Sequence, residues 1–194
     1  MDPALAGLLG ELEEFGASHD ASTDDRSRKM LNITHDTGVF LSLLIKATAS
    51  RHVLEIGTSN GYSTLWLADA VGPQGTVTTI EQAPDKIDLA HRNIDRAGLT
   101  SRVHQILGDA GEFLTTTGHH GFDLVFLDSD REQYTGWWPH LQRMLPVGRL
   151  LVVDNAVSHA HQMTDFRETI DATTGWLSSL SPIGNGELLV LRER

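Results

Sequence analysis

The 194-residue chain contains no cysteine, which excludes a disulfide framework, a thiolate zinc site and an iron–sulfur cluster. Basic residues are few, with 15 Lys and Arg against 26 Asp and Glu and a formal net charge of -11. This balance argues against nucleic acid or an anionic membrane as the main partner, because phosphate binding needs clustered cations. The richest apolar run, 39–45, is too short to span a membrane.

The first residues carry no basic segment of the kind that opens a signal peptide. With no cysteine and no such signal, we expect a cytoplasmic protein. The length suits one domain that buries roughly 70% of the surface of its unfolded chain. We therefore predict a single domain over 1–194, with helices in 1–50 and a cofactor-binding sheet in 51–194.

From residue 52 onward, short apolar runs alternate with segments of helical period. Strands are predicted over the apolar runs 52–56, 76–80, 103–107, 122–127 and 149–153. Helices are predicted over the segments 62–71, 85–97, 111–116, 133–145 and 163–173. Alternation of this kind is typical of an α/β protein whose parallel sheet is covered on both faces.

The two ends of the chain follow a different pattern. The apolar runs 176–180 and 187–191 flank a turn-rich segment and predict a hairpin, so that one antiparallel strand closes an otherwise parallel sheet. Before the sheet, 3–15 and 39–49 are predicted helices. The polar segment 19–29 between them is a candidate lid.

A glycine motif follows the first strand, in the run 55–63. Gly57 and Gly61 allow a sharp turn and a close approach to a ligand at the carboxyl end of the sheet. Their spacing differs from the G-x-G-x-x-G pattern of nicotinamide dinucleotide enzymes, which disfavours a dehydrogenase. Such glycines also serve tight turns alone, so the motif by itself leaves both interpretations open.

Acidic side chains follow the second and third strands. Glu81 lies 24 residues after Gly57, where a carboxylate can accept both hydroxyls of a ribose. The alternative is an exposed strand-end carboxylate, but the pairing with the glycine motif favours the ribose. Asp109, next to Ala110, is a weaker indication because it equally suits a helix cap.

Three oxygen donors follow the fourth and fifth strands: Asp128, Asp154 and Asn155. Neighbouring strands lie about 4.8 Å apart, so these side chains converge at one edge. Two carboxylates and an amide suit Mg²⁺, Mn²⁺ or Ca²⁺ rather than zinc. Each aspartate alone would equally be a turn or cap residue, and it is their convergence that favours a metal site.

These motifs resemble the cation-dependent class I O-methyltransferases, which include catechol and caffeoyl-coenzyme A O-methyltransferases and their bacterial relatives. The similarity runs from about Met30 to the C-terminus, with Thr37-Gly38-x-x-Leu41, the motif 55–63 and Ile183-Gly184-Asn185-Gly186. It implies a Rossmann-like, doubly wound, seven-stranded sheet that binds S-adenosylmethionine. A small aromatic vicinal diol as substrate and Mg²⁺ or another divalent cation are also implied. Family members are often homodimers, which the resemblance leaves open here.

The resemblance also implies residue roles. Contacts with S-adenosylmethionine are implied for Leu31, Ile33, Glu55, Gly57, Ser59, Gly61, Ser63, Glu81, Asp109, Ala110, Asp128 and Asp130. Cation binding is implied for Asp128, Asp154 and Asn155. This triplet is the specific feature, because most class I methyltransferases share the glycine motif and the acidic residue.

One position departs from the family pattern. Relatives read Asp-x-x-Lys after the fourth strand, with the lysine proposed as general base, whereas this chain has Asp128-Ser129-Asp130-Arg131. Arginine stays protonated and cannot take a proton from a hydroxyl, but it can stabilise an oxyanion. We therefore predict Arg131 and Asp128 as catalytic residues. The alternative is a protein that binds S-adenosylmethionine with lost or altered activity.

Aromatic and imidazole side chains carry weaker indications. Trp137 and Trp138 suit stacking on a planar substrate, although packing in the core is favoured. His159 and His161 are candidates to line the site, although loop histidines are mostly solvated. The pair His119-His120 is expected in a loop before the fourth strand.

Overall fold

A computed structural model describes residues 1–118 and 121–194, so the predicted loop at His119 and His120 lies outside the described residues. The described residues form seven strands in one sheet, with helices on both faces. The strands are β1 (His52–Ile56), β2 (Thr76–Glu81), β3 (Val103–Leu107), β4 (Leu124–Leu127), β5 (Leu150–Val153), β6 (Trp176–Ser181) and β7 (Glu187–Arg192). The α-helices are α1 (Pro3–Ala21), α2 (His35–Ala47), α3 (Tyr62–Ala70), α4 (Pro84–Arg96), α5 (Ala110–Thr116), α6 (Tyr134–Met144) and α7 (Thr164–Asp171). Short 3₁₀ turns cover Arg26–Arg28, Thr100–Arg102, Arg131–Gln133 and Ala160–Gln162.

The strand order is β3-β2-β1-β4-β5-β7-β6. Strands β1 to β5 pair in parallel, and β7 pairs antiparallel with both β5 and β6. The order reverses between β1 and β4, the place where open α/β sheets form their ligand crevice. The predicted fold, a doubly wound α/β sheet with one antiparallel strand near the C-terminus, is confirmed.

The sheet separates two hydrophobic cores, because successive side chains of a strand face opposite sides. Val53 packs with the apolar residues of α1 to α4 on one face. Leu54 and Ile56 pack with those of α5, α6 and α7 on the other face. The carboxyl ends of the central strands are therefore held from both sides.

The N-terminal helices are longer and earlier than predicted. Helix α1 continues through the first residues of the predicted lid to Ala21, and the Asp20 carboxylate accepts the N–H groups of Met30 and Leu31 at 2.6 and 2.9 Å. Helix α2 begins at His35 because the hydroxyl of the preceding threonine caps it. In the part of the chain that is described, no helix is long and apolar enough to cross a membrane.

Strand β4 is shorter than predicted, because the residues before Leu124 bond elsewhere. The N–H of Phe122 donates to the Met144 carbonyl at 3.0 Å. The Asp123 carboxylate accepts the N–H groups of residues 51 and 52 at 2.8 and 2.9 Å and pairs with Arg149 at 3.0 Å. This carboxylate holds together the amino ends of the central strands, at the opposite end of the strands from the cavity described below.

Candidate active site

A cavity of about 980 Å³ opens along the carboxyl ends of the central strands. Most of the predicted site residues line it: Leu31, Ile33, Gly57, Ser59, Ser63, Glu81, Asp109, Ala110, Asp128, Asp130, Arg131, Asp154 and Asn155. The cavity has two sides. We call the part at the ends of β1, β2 and β3 the cofactor side, and the part at the ends of β4, β5 and β7 the acceptor side.

The loop after β1 is held by close backbone contacts. Gly57 has φ 109°, and a Cβ there would overlap the carbonyl oxygen of Asp128, so this glycine lets the loops after β1 and β4 meet. Ser59 has φ 47°, uncommon for a residue with a side chain, and its hydroxyl donates to the Met30 carbonyl at 2.6 Å. The segment before α2 is thereby tied to the glycine motif.

Glu81 ends β2 at the cofactor side and is half-buried. Its two carboxylate oxygens accept the backbone N–H groups of Ser59 and Ala83, each at 2.9 Å. A carboxylate oxygen can accept more than one hydrogen bond, so Glu81 keeps acceptor capacity toward the cavity. Asp109 caps α5 by accepting the N–H of Glu112 at 2.9 Å, and it also lines the cavity, while its predicted contact with the cofactor stays a prediction.

Glu55 and Gly61 are not among the described residues that line the cavity, so their predicted cofactor contacts stay predictions and their visible role is to support the site. The fully buried Glu55 carboxylate accepts hydroxyl groups from Ser63, Thr64 and Thr79. Burial raises its pKa to about 7, against the opposing effect of these hydrogen bonds. Glu55 thus orients Ser63, which does line the cavity, whereas Gly61 begins α3 with φ 87°.

The predicted triplet comes together on the acceptor side. The Asn155 amide nitrogen donates to the Asp128 carboxylate at 3.1 Å and to the Asp154 carboxylate at 2.9 Å. Asn155 has φ 65°, a left-handed conformation that asparagine tolerates better than most residues. Residues from two neighbouring strand ends therefore share one small volume, as the strand order requires.

The charged forms of the two aspartates of the triplet are destabilised in the folded protein. Burial and the neighbouring Asp154 carboxylate raise the pKa of Asp128 well above its usual range, and the Arg131 guanidinium partly opposes this. Burial also raises the pKa of Asp154, which is only 2% exposed. Their own hydrogen bonds do not compensate for the loss of water.

Glu187, at the start of β7, was not predicted from the sequence. It is fully buried beside Asp154, and the Thr37 hydroxyl donates to one of its oxygens at 2.9 Å. Burial and the Asp154 carboxylate raise the pKa of Glu187 to about 10. A glutamate directly after Gly184-Asn185-Gly186, in a strand that is otherwise apolar at its start, is the signal that could have drawn attention to it.

The triplet is chemically suited to a hard divalent cation. Among the described residues, no three carboxylate or imidazole side chains form a cluster that could hold a metal ion, and the third donor is an amide. An amide carries an acceptor oxygen as well as its donor nitrogen, so rotation of the Asn155 side chain would present that oxygen beside two carboxylates. The raised pKa values of Asp128 and Asp154 fit such an ion, because a bound cation would supply the positive charge that stabilises their ionised forms.

Arg131 lines the acceptor side and is 7% exposed. Its Nη1 donates to the Ser129 carbonyl at a long 3.4 Å, and within the described residues its Nε has no hydrogen-bond partner. The guanidinium is close enough to Asp128 and Asp154 to lower the pKa of each. Positive charge therefore lies where the family pattern has a lysine.

The remaining aromatic and imidazole residues divide between packing and the cavity. Trp138 packs in the core against Phe166 and Trp176, as favoured above. Trp137 is buried to 9% exposure and also forms part of the cavity wall. His159 lines the cavity, whereas His161 is exposed and is not among the described lining residues.

A family model described as O-methyltransferase matches residues 8–174. The chain belongs to the O-methyltransferase family. The catechol O-methyltransferase of Mycobacterium tuberculosis is 38% identical over 156 residues, which cover 80% of this chain and 66% of that protein. The catechol O-methyltransferase of Niastella koreensis is 33% identical over 160 residues, covering 81% of this chain and 72% of that protein.

Solved O-methyltransferases share the fold at modest identity. An O-methyltransferase from Bacillus cereus, in complex with SAH, has a TM-score of 0.82 at 26% identity and covers 96% of this chain and 91% of its own. The O-methyltransferase TomG from Streptomyces achromogenes, in complex with SAM, has a TM-score of 0.81 at 27% identity and covers 100% and 91%. The family assignment and the seven-stranded sheet therefore agree.

Proposed function

We propose that this family member transfers a methyl group from S-adenosylmethionine to one hydroxyl of a vicinal diol on an aromatic ring, with a divalent cation such as Mg²⁺ bound by Asp128, Asp154 and Asn155. The observation that carries the proposal is that this triplet and Glu81 line one cavity. Family membership supports the reaction type, and the two catechol O-methyltransferases among the relatives support the acceptor.

The cofactor side suits S-adenosylmethionine, which when bound supplies an electrophilic methyl group on a sulfonium. Glu81 has acceptor capacity for the ribose hydroxyls, and its position is fixed by two backbone N–H groups. Ser63, oriented by Glu55, and the backbone beside Gly57 would surround the methionine part. Ala110 and the wall around it would lie against the adenine.

The acceptor side suits the two oxygens of a vicinal diol. A divalent cation bound there would lower the pKa of a phenolic hydroxyl, which starts at about 10. Asp128 and Asp154 would hold that charge, and Glu187 with Thr37 packs behind Asp154. The positions of these groups are set by strand ends, so most of the rate enhancement would come from placement and charge.

Arg131 acts in this scheme without taking a proton. Its guanidinium is already protonated, so the proton of the reacting hydroxyl leaves to water. The buried positive charge of Arg131 stabilises the negative charge that develops on the attacking oxygen. On these terms the loss of the family lysine would be tolerable, because a bound cation would make the hydroxyl more acidic.

The test is release of S-adenosylhomocysteine from S-adenosylmethionine with catechol as acceptor, in Mg²⁺ and in EDTA. We expect turnover with Mg²⁺, none after chelation, and none with phenol, the matched acceptor with a single hydroxyl. Equal turnover in EDTA would contradict the cation, and equal turnover of phenol would contradict the diol.

A second candidate, a binder of S-adenosylmethionine without turnover, is favoured only by Arg131 at the lysine position. Calorimetry separates the two functions. Tight binding of S-adenosylhomocysteine, together with no product from a panel of catechols in Mg²⁺, would establish the binder and reject the enzyme.

A further inference from the structure

The segment 57–64, which joins β1 to the first turn of α3, borders the cofactor side, and its hydroxyl groups are already used inside the protein. The hydroxyls of Ser63 and Thr64 both donate to the Glu55 carboxylate. The Ser59 hydroxyl donates to the Met30 carbonyl at 2.6 Å. A hydroxyl has one proton to donate, so these three side chains are left with acceptor capacity alone.

The Thr58 hydroxyl is committed in the same way. It lies 2.6 Å from the Thr79 hydroxyl, and Thr79 donates its own proton to Glu55 at 2.6 Å. Thr58 is therefore the donor of the pair that it forms with Thr79. The Tyr62 hydroxyl donates to Glu13 on α1 at a long 3.5 Å. The hydroxyl protons of the segment thus hold the protein together and are not free for a ligand.

Asn60 differs from these neighbours. It lines the cavity and is fully buried, and within the described residues its amide nitrogen has no hydrogen-bond partner. Its Oδ1 accepts the N–H of Tyr62 at 3.1 Å, and its backbone carbonyl accepts the Asn93 amide at 2.8 Å. The residue is therefore fixed on one side and carries an unused donor on the other. A buried donor without a partner is costly, so a ligand acceptor at this nitrogen would recover free energy.

The N-terminus of α3 lies beside this amide. The helix begins directly after Gly61, which has no side chain to cap the first turn. The first N–H groups of a helix lack partners within the helix, and with the helix dipole they favour an anion. Because Asn60 immediately precedes Gly61, its amide and the helix N-terminus can serve one anionic group.

Acidic residues restrict the kind of ligand that fits here. Four of them contact the segment 57–64: Glu13, Glu55, Glu81 and Asp128. Their charges oppose a simple anion and favour a cation. The methionine part of S-adenosylmethionine carries both an ammonium and a carboxylate. The acidic residues suit the ammonium, whereas the carboxylate needs a donor close by.

We propose that the Asn60 amide binds the carboxylate of the methionine part of S-adenosylmethionine, beside the N-terminus of α3. This inference rests on the proposed function, because it needs S-adenosylmethionine as the methyl donor. The family resemblance implies cofactor contacts for Ser59 and Ser63, but the protons of both hydroxyls are used within the protein. Asn60 then determines the specificity of the site for a ligand with an intact amino-acid part.

The experiment compares S-adenosylhomocysteine with 5′-methylthioadenosine, which keeps the adenosine and the sulfur but lacks the amino-acid part. Calorimetry measures both affinities for the wild-type chain and for Asn60→Asp. Aspartate has the shape of asparagine and can still accept the N–H of Tyr62, but it replaces the free nitrogen with an oxygen. S-adenosylhomocysteine should bind about tenfold more weakly or worse, as expected for a lost hydrogen bond to a charged group. Binding of 5′-methylthioadenosine should change by less than about twofold, because it has no carboxylate.

Two further variants serve as controls. Asn60→Ala removes the donor without adding a charge, and its preference between the two ligands decides the question if Asn60→Asp does not fold. Gln162→Glu adds a negative charge at an exposed position of the same cavity, on the acceptor side. This charge is exposed and screened, so S-adenosylhomocysteine affinity should change by less than about twofold.

The outcomes separate this inference from the function on which it rests. Equal weakening of both ligands by Asn60→Asp would indicate a disturbed loop and overturn the contact. Tighter binding of S-adenosylhomocysteine to Asn60→Asp would place the ammonium there and also overturn it. An unchanged preference in both Asn60 variants would assign the carboxylate to another lining side chain such as Arg26, Lys86 or Arg131. In all three cases S-adenosylhomocysteine still binds and the proposed function stands, whereas a wild-type chain that binds neither ligand would contradict both.

Discussion

The two sides of the cavity treat their carboxyl groups differently. On the cofactor side, Glu81 accepts two backbone N–H groups, and the buried Glu55 accepts three hydroxyl groups. On the acceptor side, Asp128, Asp154 and Glu187 crowd together, and burial raises the pKa of each. Burial raises the pKa of Glu55 as well, and the neighbouring Glu81 adds least to that effect, whereas on the acceptor side Asp154 is, after burial, the largest cause of the raised pKa of both Asp128 and Glu187. That difference is the electrostatic basis for placing a cation on the acceptor side.

The largest effect is expected from Asp154→Ala, which removes one proposed cation ligand from the acceptor side. Turnover with Mg²⁺ should fall by at least about a thousandfold, or about 4 kcal/mol in the barrier. Calorimetry should show S-adenosylmethionine affinity within about tenfold of wild type, because other strand ends hold the cofactor. Asp165→Ala, an exposed aspartate in the first turn of α7, is the control. Activity that survives both Asp154→Ala and EDTA would show that the reaction does not need a cation on the acceptor side.

The second effect tests whether burial keeps Glu55 protonated and so makes the stability of the protein depend on pH. The pKa of Glu55 is raised from 4.5 to about 7, so the folded protein keeps a proton that the unfolded chain loses. The stability contributed by this proton is present below pH 4.5 and is lost as the pH rises to about 7, by about 3 kcal/mol in total. Urea unfolding of the ligand-free protein between pH 5 and 8 should show a decline to which Asp128, Asp154 and Glu187 also contribute, and Glu55→Gln should make that decline measurably smaller. An unchanged decline in the variant would assign the effect to other groups.

A smaller effect is expected from Glu81→Ala on the cofactor side. Loss of an ionised acceptor for the ribose should weaken S-adenosylmethionine binding by about 2 kcal/mol in calorimetry. Glu81→Gln keeps an acceptor oxygen for the backbone N–H groups and should lose less. Glu14→Ala, an exposed glutamate on α1, should have no effect. Equal affinity of Glu81→Ala and wild type would remove the ribose role.

The smallest effect is expected from Arg131→Lys, which keeps positive charge on the acceptor side. The rate should change by less than about tenfold, or about 1.4 kcal/mol, and the pH–rate profile should gain no separate limb from a lysine base. A gain above roughly a hundredfold, near 2.7 kcal/mol, would show that a lysine base is essential and that the natural protein is a degenerate binder.

Much of the cofactor side could be predicted because its signals are local. Gly57 and Glu81 follow consecutive strands, and the rule that parallel strand ends share one edge brings them together. The same rule brought Asp128 and Asp154 together, since β4 and β5 pair directly. The prediction that these residues bind cofactor and cation stays a prediction until ligands are measured.

The less predictable features depend on contacts between distant parts of the chain. Glu187 reaches Asp154 because β7 inserts between β5 and β6, and no local pattern specifies that insertion. The length of α1 depends on the bonds from Asp20 to residues ten and eleven positions later. The burial of Glu55, in contrast, follows from the strand itself, because it alternates with the apolar residues Leu54 and Ile56 and so faces the opposite side of the sheet.

The Asp20 carboxylate fixes both ends of the segment that carries Arg26. Its two hydrogen bonds bring the end of α1 against Met30 and Leu31, so 22–29 is a closed surface loop with fixed ends. Lengthening such a loop costs little, since doubling its length adds only about 0.6 kcal/mol of closure entropy. We therefore expect this loop to tolerate exchanges, insertions and deletions, since the Ser59–Met30 contact holds the glycine motif in place. Directed evolution of this loop can therefore vary the part of the cavity wall that Arg26 and Ser27 form while the glycine motif stays unchanged.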